Sequence, residues 1–232
     1  MEYLNHALFG IFPYIALSVF FLGCLLRFDR EQYTWRSGSS QLLDRRNMVL
    51  ASNLFHVGIL GLFLGHFVGL LTPIEVFEHL GIHPQTKQML AIVAGSIFGI
   101  ITFVGLVLLV IRRLTIARIY ETSANMDIAI LLLLLAQLTI GLISIVFSLD
   151  HLEGATMVLF MKWAGGIIFF RPDAAEYLLT VSWVYKIHIV LGFTIALLFP
   201  FGRLVHIWSM PVWYFGRSYQ VVRKRQQRSM VR

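Results

Sequence analysis

The sequence is poor in cysteine and in charged residues. Its one cysteine, Cys24, excludes an intrachain disulfide, and there is no C-x-x-C motif or set of thiolates that would hold an iron–sulfur cluster. Only 13% of the 232 residues are charged, about half the usual share for a soluble domain, whereas 58% are hydrophobic. The low charge and the long apolar runs exclude an ordinary soluble domain and predict an integral membrane protein.

Five apolar runs are each near or above the ~20 residues that a helix needs to cross a bilayer. The first has Glu2 before it and no basic segment, so we interpret it as a retained helix rather than a cleaved signal. The sequence therefore predicts one all-α domain over residues 1–232, an integral membrane bundle of five transmembrane helices. The predicted spans cover residues 4–26, 50–71, 89–111, 128–149 and 181–208.

Basic residues are concentrated in alternate connections between the runs. The positive-inside rule places the first loop, the third loop and the C-terminal tail in the cytoplasm, with the N-terminus outside. The net charge of +7 then reflects topology, and nucleic-acid binding is disfavoured because the basic residues flank apolar helices. The tail, at about 209–232, is suited to anionic membrane lipid or an acidic partner, and its basic residues are Arg217, Arg223, Lys224, Arg225, Arg228 and Arg232.

Four of the eight histidines lie within the apolar runs: His56 and His66 on the second, His188 and His206 on the fifth. An ionisable side chain inside a membrane helix is costly and by default marks a functional site. Antiparallel packing matches His66 with His188 near the outer face. It matches His56 with His206 near the cytoplasm. Each pair can supply both axial nitrogens of one haem, and such closed ligation suits electron transfer better than oxygen chemistry.

The spacing of these histidines permits two haems without demanding them. On one straight helix His188 and His206 would be ~27 Å apart, whereas His56 and His66 would be ~15 Å apart. Pro200 lies between His188 and His206 and predicts a kink in the fifth helix. Small residues interleave with the histidines of the second helix, where they fit either close helix packing or contact with a flat haem: Gly58, Gly61, Gly65 and Gly69.

The remaining histidines are weaker candidates. His79 and His83 form an i, i+4 pair, but two ligands on a short segment are a weak metal signal, and His6 and His151 are interpreted as solvated. Lys87 is the only basic residue of the second loop. It fits either a lysine that reaches out to the membrane interface or a hydrogen-bond donor to a quinone carbonyl.

Several segments carry a resemblance to a known family. They are the YTWR stretch at 33–36, the SSQLLDRR run from Ser39, the second helix up to Pro73, and the RLVHIWSMP run from Arg203. With them, essentially the whole chain resembles the gamma subunit of the respiratory membrane-bound nitrate reductase.

The resemblance implies a dihaem cytochrome b in a bacterial or archaeal cytoplasmic membrane. It implies partners too: a beta subunit with iron–sulfur clusters and an alpha subunit with a molybdenum cofactor. Quinol would be oxidised at the outer side, with Gly65, His66 and Lys87 as candidate site residues. Electrons would pass through the haem of His66 and His188, then through that of His56 and His206.

Two other functions stay open at this point. One is the dihaem cytochrome b anchor of another quinone-linked oxidoreductase, which would share haems and topology but have a different catalytic partner. The other is a haem-free membrane protein in which the histidines form a proton relay. An absorption spectrum of the reduced protein separates this last alternative from the first two.

Overall fold

The computed structural model describes residues 2–45, 47–209 and 216, so Arg46 and most of the predicted basic tail lie outside the described residues. Within that part of the chain every regular element is helical. In chain order the helices are α1 (Glu2–Arg30, with a π-helical turn at Ala7–Ile11), α2 (Met48–Leu71), α3 (Ile74–His79), α4 (Pro84–Thr115), α5 (Ala117–Glu121), α6 (Asn125–Ser148), α7 (Ala155–Ile168) and α8 (Trp183–Leu198).

The predicted all-α class and five spans are confirmed. Helices α1, α2, α4, α6 and α8 are long and apolar enough to cross a membrane. The longest, α4, has 32 residues and is therefore about 48 Å long, more than a hydrocarbon core of about 30 Å requires. The orientation of the bundle across the membrane stays a prediction from loop charge.

Proline sets both helix ends that flank the second loop. Helix α2 stops before Thr72, which is extended, because the ring of Pro73 disfavours helical backbone in the residue before it. Helix α4 begins at Pro84, whose fixed φ suits the first position of a helix and whose missing N–H would have no partner there. The loop between them contains the short helix α3.

The fifth span differs from the prediction of one helix over 181–208. Helix α8 ends at Leu198, a 3₁₀ turn follows at Phe199–Phe201, Gly202 is extended, and a second 3₁₀ segment covers Arg203–Ser209. The break occurs because Pro200 lacks an N–H and its ring clashes with the preceding turn. The guanidinium of Arg27 donates to the carbonyls of Pro200, at 2.5 Å, and Gly202, at 2.8 Å. The straight-helix distance between His188 and His206 therefore does not apply.

The connection at 150–180, which joins the fourth and fifth predicted spans, is a packed cap on one end of the bundle. Helix α7 and a 3₁₀ turn at Ala174–Leu178 form a buried apolar cluster with the start of α1. The indole of Trp163 donates to the carbonyl of Phe9 at 3.0 Å, and the amide of Asn5 donates to the carbonyl of Ala175 at 2.7 Å. With 14 residues, α7 is too short to span a bilayer.

The long helices pack in the order α2, α4, α6, α8 and α1. Helices α2 and α4 have the most extensive contact, and glycines there let the two backbones approach closely. A Cβ on Gly58 would lie 2.6 Å from the backbone nitrogen of Thr102, and one on Gly105 would lie 2.4 Å from that of Phe55. Helix α2 stands at one end of this order and α8 is the fourth of the five helices. Together they carry three of the four candidate histidines.

Candidate functional site

His66 of α2 and His188 of α8 face each other across the bundle. Their ring centroids are 6.1 Å apart and the ring planes are inclined by 34°. Two imidazoles bound on opposite sides of one metal ion, with bonds of about 2 Å, would have centroids about 6 Å apart. His66 and His188 are the two histidines that the sequence places at the same depth in the membrane. The structure brings their rings together at a separation that fits a shared metal.

Lys87 lies at the same end of the bundle and is buried. Only 4% of the residue is exposed; its ammonium donates to the carbonyl of Gly69 at 2.7 Å and lies 4.8 Å from the ring centroid of Phe77. Gly69 is in the last turn of α2, where carbonyls lack a partner within the helix. The alternative of a lysine reaching out to the interface therefore does not describe this side chain. We call this region, with His66 and His188, the Lys87 end.

The other predicted pair lies at the opposite end of the bundle, which we call the Arg27 end. His56 is in the first half of α2, and His206 is in the 3₁₀ segment after the break. No contact between the two rings is present in the described part of the chain. The structure thus places both histidines at one end without bringing them together as it does His66 and His188.

Three of the four histidines have the same local hydrogen bond. Nδ1 of His66 is 2.8 Å from the carbonyl of Leu62, and Nδ1 of His56 is 2.7 Å from that of Ser52. Nδ1 of His206 is 2.6 Å from the carbonyl oxygen of Arg203. Because a carbonyl only accepts, Nδ1 carries the proton and Nε2 keeps a free lone pair, as a metal-binding imidazole requires.

That bond alone does not identify a haem ligand. His79 of α3 makes it too, with Nδ1 2.7 Å from the carbonyl of Glu75. Within the described residues, no group of three or more His, Cys, Asp or Glu side chains could hold a metal ion, so His79 and His83 gain no further ligand. His56 and His66 differ from His79 because they combine this bond with a position inside a helix long and apolar enough to cross a membrane.

His188 is the exception among the four. Its Nε2 is 3.3 Å from Nε2 of Gln137 on α6, and its Nδ1 is buried without a hydrogen-bond partner among the described residues. The side-chain oxygen of Gln137 is buried and unpartnered as well. Gln137 was not singled out from the sequence. The signal that points to it is a lone amide within the apolar run 128–149, since polar side chains inside membrane helices tend to bridge helices.

The glycines of α2 divide into two classes. A Cβ on Gly58 or Gly61 would collide with α4, on Thr102 or on the ring of Phe98, so these two serve helix packing. Within the part of the chain that the structure describes, a Cβ on Gly65 or on Gly69 would meet nothing within 4 Å. The α2 surface next to His66 is therefore open, and a flat group has room there that the packed half of the helix does not offer.

The Arg27 end is polar. Arg203 forms an ion pair with Asp127 at 2.5 Å, and the buried Arg112 donates to the hydroxyl of Ser40 at 2.7 Å and to the carbonyl of Asp44. A cavity of about 640 Å³ opens between the first loop and the helix ends, and its charged lining residues are Arg27, Arg36, Arg113, Arg203 and Asp127. Arg203 also donates to the carbonyl of Gly38 at 3.0 Å, which ties the segment that carries His206 to the first loop.

Comparisons with known proteins agree with the architecture of the chain. The sequence model of the nitrate reductase gamma subunit family matches residues 5–225. Two respiratory nitrate reductase gamma chains of Escherichia coli K12, 1 and 2, are each 48% identical to this chain over 97% of its length and all of their own. The nitrate reductase gamma chain of Bacillus subtilis 168 is 40% identical over 94% of this chain and 97% of its own.

Proposed function

The chain belongs to the nitrate reductase gamma subunit family, a family of oxidoreductase subunits, and we propose that it oxidises quinol near the outer membrane face and passes the electrons inward through two b haems. The recipients would be the iron–sulfur beta subunit and then the molybdenum alpha subunit of a respiratory nitrate reductase. One observation carries the proposal: the ring centroids of His66 and His188, which lie on two different helices, are 6.1 Å apart.

At the Lys87 end, His66 and His188 would be the axial ligands of the first haem. A bis-imidazole haem supplies reversible one-electron transfer. His66 is set for this by its bond to the carbonyl of Leu62, which fixes the ring and leaves Nε2 free. The open surface at Gly65 and Gly69 leaves room for the macrocycle beside the pair.

At the Arg27 end, His56 and His206 would hold the second haem. Each has its Nδ1 bound to a backbone carbonyl and its Nε2 available. His206 follows a break in the fifth span, so its position depends on the Arg27 and Arg203 contacts rather than on a continuous helix. The loop-charge prediction puts this end at the cytoplasmic face, where the partner subunits would receive electrons.

Lys87, His66 and Gly65 would form the quinol site. An ammonium group has three donors, and the carbonyl of Gly69 uses one of them, so Lys87 can still donate to a quinol or quinone oxygen. Burial makes such a bond stronger than it would be in water. Gly65 has no side chain that would keep the quinol ring away from His66. Protons from quinol would leave at the outer side.

An optical experiment tests this function. We expect a dithionite-reduced minus oxidised spectrum of the purified complex, with pyridine haemochrome quantification, to give two b-type haems per gamma chain. One haem per chain would contradict the pairing of four histidines. No haem in folded complex made with haem available would overturn the proposal and favour the proton relay.

A further inference from the structure

Two unpartnered polar atoms share one buried contact between α6 and α8. One is Nδ1 of His188 and the other is the side-chain oxygen of Gln137. The two side chains are in contact through Nε2 of His188 and Nε2 of Gln137, which are 3.3 Å apart. A buried donor or acceptor without a partner loses its hydrogen bonds to water without replacement, so an arrangement that satisfied both atoms would be favoured.

The other three candidate histidines show which bond is missing. Each has Nδ1 bound to a backbone carbonyl three or four residues earlier, and each keeps Nε2 free. His188 lacks that bond, and its Nε2 is the atom in contact with Gln137. In this arrangement the amide of Gln137 donates to the same nitrogen that a metal would need.

We propose that Gln137 is the positioning residue of His188: when His188 turns Nε2 towards haem iron, its Nδ1–H donates to the side-chain oxygen of Gln137. The side-chain amide of glutamine has a donor nitrogen and an acceptor oxygen bound to the same carbon. It can therefore bind the imidazole in either orientation, as a donor or as an acceptor. The second orientation satisfies both unpartnered atoms and releases Nε2. Gln137 then does for His188 what backbone carbonyls do for His56, His66 and His206. This inference rests on the proposed haem ligation.

Glycines shape the space for this exchange. A Cβ on Gly141, one turn after Gln137, would lie 2.9 Å from Cε1 of His188. A Cβ on Gly192, one turn after His188, would lie 3.3 Å from Nε2 of Gln137. The amide and the imidazole are thus enclosed by two positions without side chains, and larger residues there would push the pair apart.

The hydrogen bond has a measurable consequence. An acceptor on Nδ1–H makes an axial imidazole more electron-rich, which stabilises ferric over ferrous iron and lowers the midpoint potential. Loss of such a partner typically changes metal affinity by about 10–100-fold. For a one-electron couple, a tenfold change in the ferric-to-ferrous preference corresponds to about 59 mV.

The experiment is a potentiometric titration of both haems in the intact complex carrying Gln137→Leu, read by optical and low-temperature EPR spectra. We expect the potential of one haem to rise, corresponding to about a tenfold loss of ferric preference, and its EPR signal to change, while the other haem is unaffected. Gln137→Glu keeps an acceptor at this position, so we expect it to restore the wild-type potential or lower it. Thr139→Val is the matched control, because Thr139 is on the same helix and its hydroxyl donates to the backbone carbonyl of Leu135.

Each outcome decides the proposal. Selective loss of the haem proposed to bind His188 in Gln137→Leu would support a positioning role. Unchanged potentials and EPR spectra in Gln137→Leu, with both haems present, would overturn it, as would an equal shift in Thr139→Val. If Gln137→Leu does not fold, the Gln137→Glu complex decides: a raised potential overturns the inference. Absence of haem from the wild type would instead refute the proposed function.

Discussion

At the Lys87 end, both candidate ligands lie on unbroken helix and their rings approach to 6.1 Å. At the Arg27 end, one ligand follows the break at Pro200, and no ring contact with the other is present in the described residues. Apolar packing of the helices against one another and against the cap at 150–180 determines the structure of the Lys87 end. Hydrogen bonds from Arg27, Arg112 and Arg203 shape the second.

The difference suggests two ways to build a ligand site in one bundle. Helix packing fixes His66 and His188 because the positions of whole helices determine where the rings lie. The Arg27 end instead depends on side chains that bind carbonyls freed by a proline, so single substitutions there should affect the local segment more than the bundle. Variants that separate the two ends therefore test the comparison directly.

The largest effect is expected at the Lys87 end. His66→Ala or His188→Ala should remove one haem completely and abolish quinol oxidation, because that haem would be the first acceptor. Haem quantification and quinol-dependent reduction of the remaining haem check this. His79→Ala is the matched control, since His79 has the same Nδ1–carbonyl bond and lies outside the spans. If the His66 and His188 variants lose different haems, the pairing is wrong.

The reciprocal variants probe the Arg27 end. His56→Ala or His206→Ala should remove the other haem, leaving a haem that quinol still reduces while electron transfer to nitrate stops. Stopped-flow spectra with quinol, followed by nitrate-dependent reoxidation, separate these two steps. Loss of the same haem from all four histidine variants would contradict two separate sites.

Arg27→Ala should affect only the Arg27 end. It leaves the carbonyls of Pro200 and Gly202 without their donor, at an expected loss of about 2 kcal/mol in local stability. The predicted result is weaker retention of the haem of His56 and His206, measured as haem content after mild detergent or heat treatment. Arg30→Ala is a suitable control, being on the same turn of α1. Equal loss of both haems would argue against independent ends.

Lys87→Ala should have the smallest effect on composition. Both haems should remain, while quinol oxidation falls about tenfold, equivalent to about 1.4 kcal/mol, because a donor to the quinol oxygen is lost. Steady-state turnover over a range of quinol concentrations checks this, and Lys186→Ala serves as a control, since Lys186 bonds to the carbonyl of Leu179. Unchanged turnover would leave Lys87 with only its role of binding Gly69 at the end of α2.

Most of the fold could be predicted from the sequence, and particular residues show where prediction failed. Four spans lie within a few residues of their predicted bounds, because apolar run length is a local property. The predicted fifth helix is wrong after Leu198. Whether Pro200 kinks or ends a helix depends on side chains such as Arg27, which bind the backbone carbonyls that the break leaves without a partner. Helix α7 was missed because its 14 residues are too few to give a spanning signal.

The sequence singled out the candidate histidines and paired His66 with His188, but it did not predict the other contacts around them. The four histidines stood out because ionisable groups inside apolar runs are rare. The buried position of Lys87 could not be predicted, since its partner, the carbonyl of Gly69, is set by how α2 and α4 meet. Gln137 was overlooked for the same reason: its contact with His188 joins positions 51 residues apart.

Transfer of apolar and ionisable groups from water is a property of each residue and its near neighbours, so the amino-acid order alone predicts the five apolar runs and the four histidines within them. Helix packing, in contrast, sets the 6.1 Å between the ring centroids of His66 and His188, the close approach at Gly58 and the open surface at Gly65, and the buried contact of His188 with Gln137. Those outcomes depend on which helices pack together and how closely, and close packing joins residues that are distant in the chain.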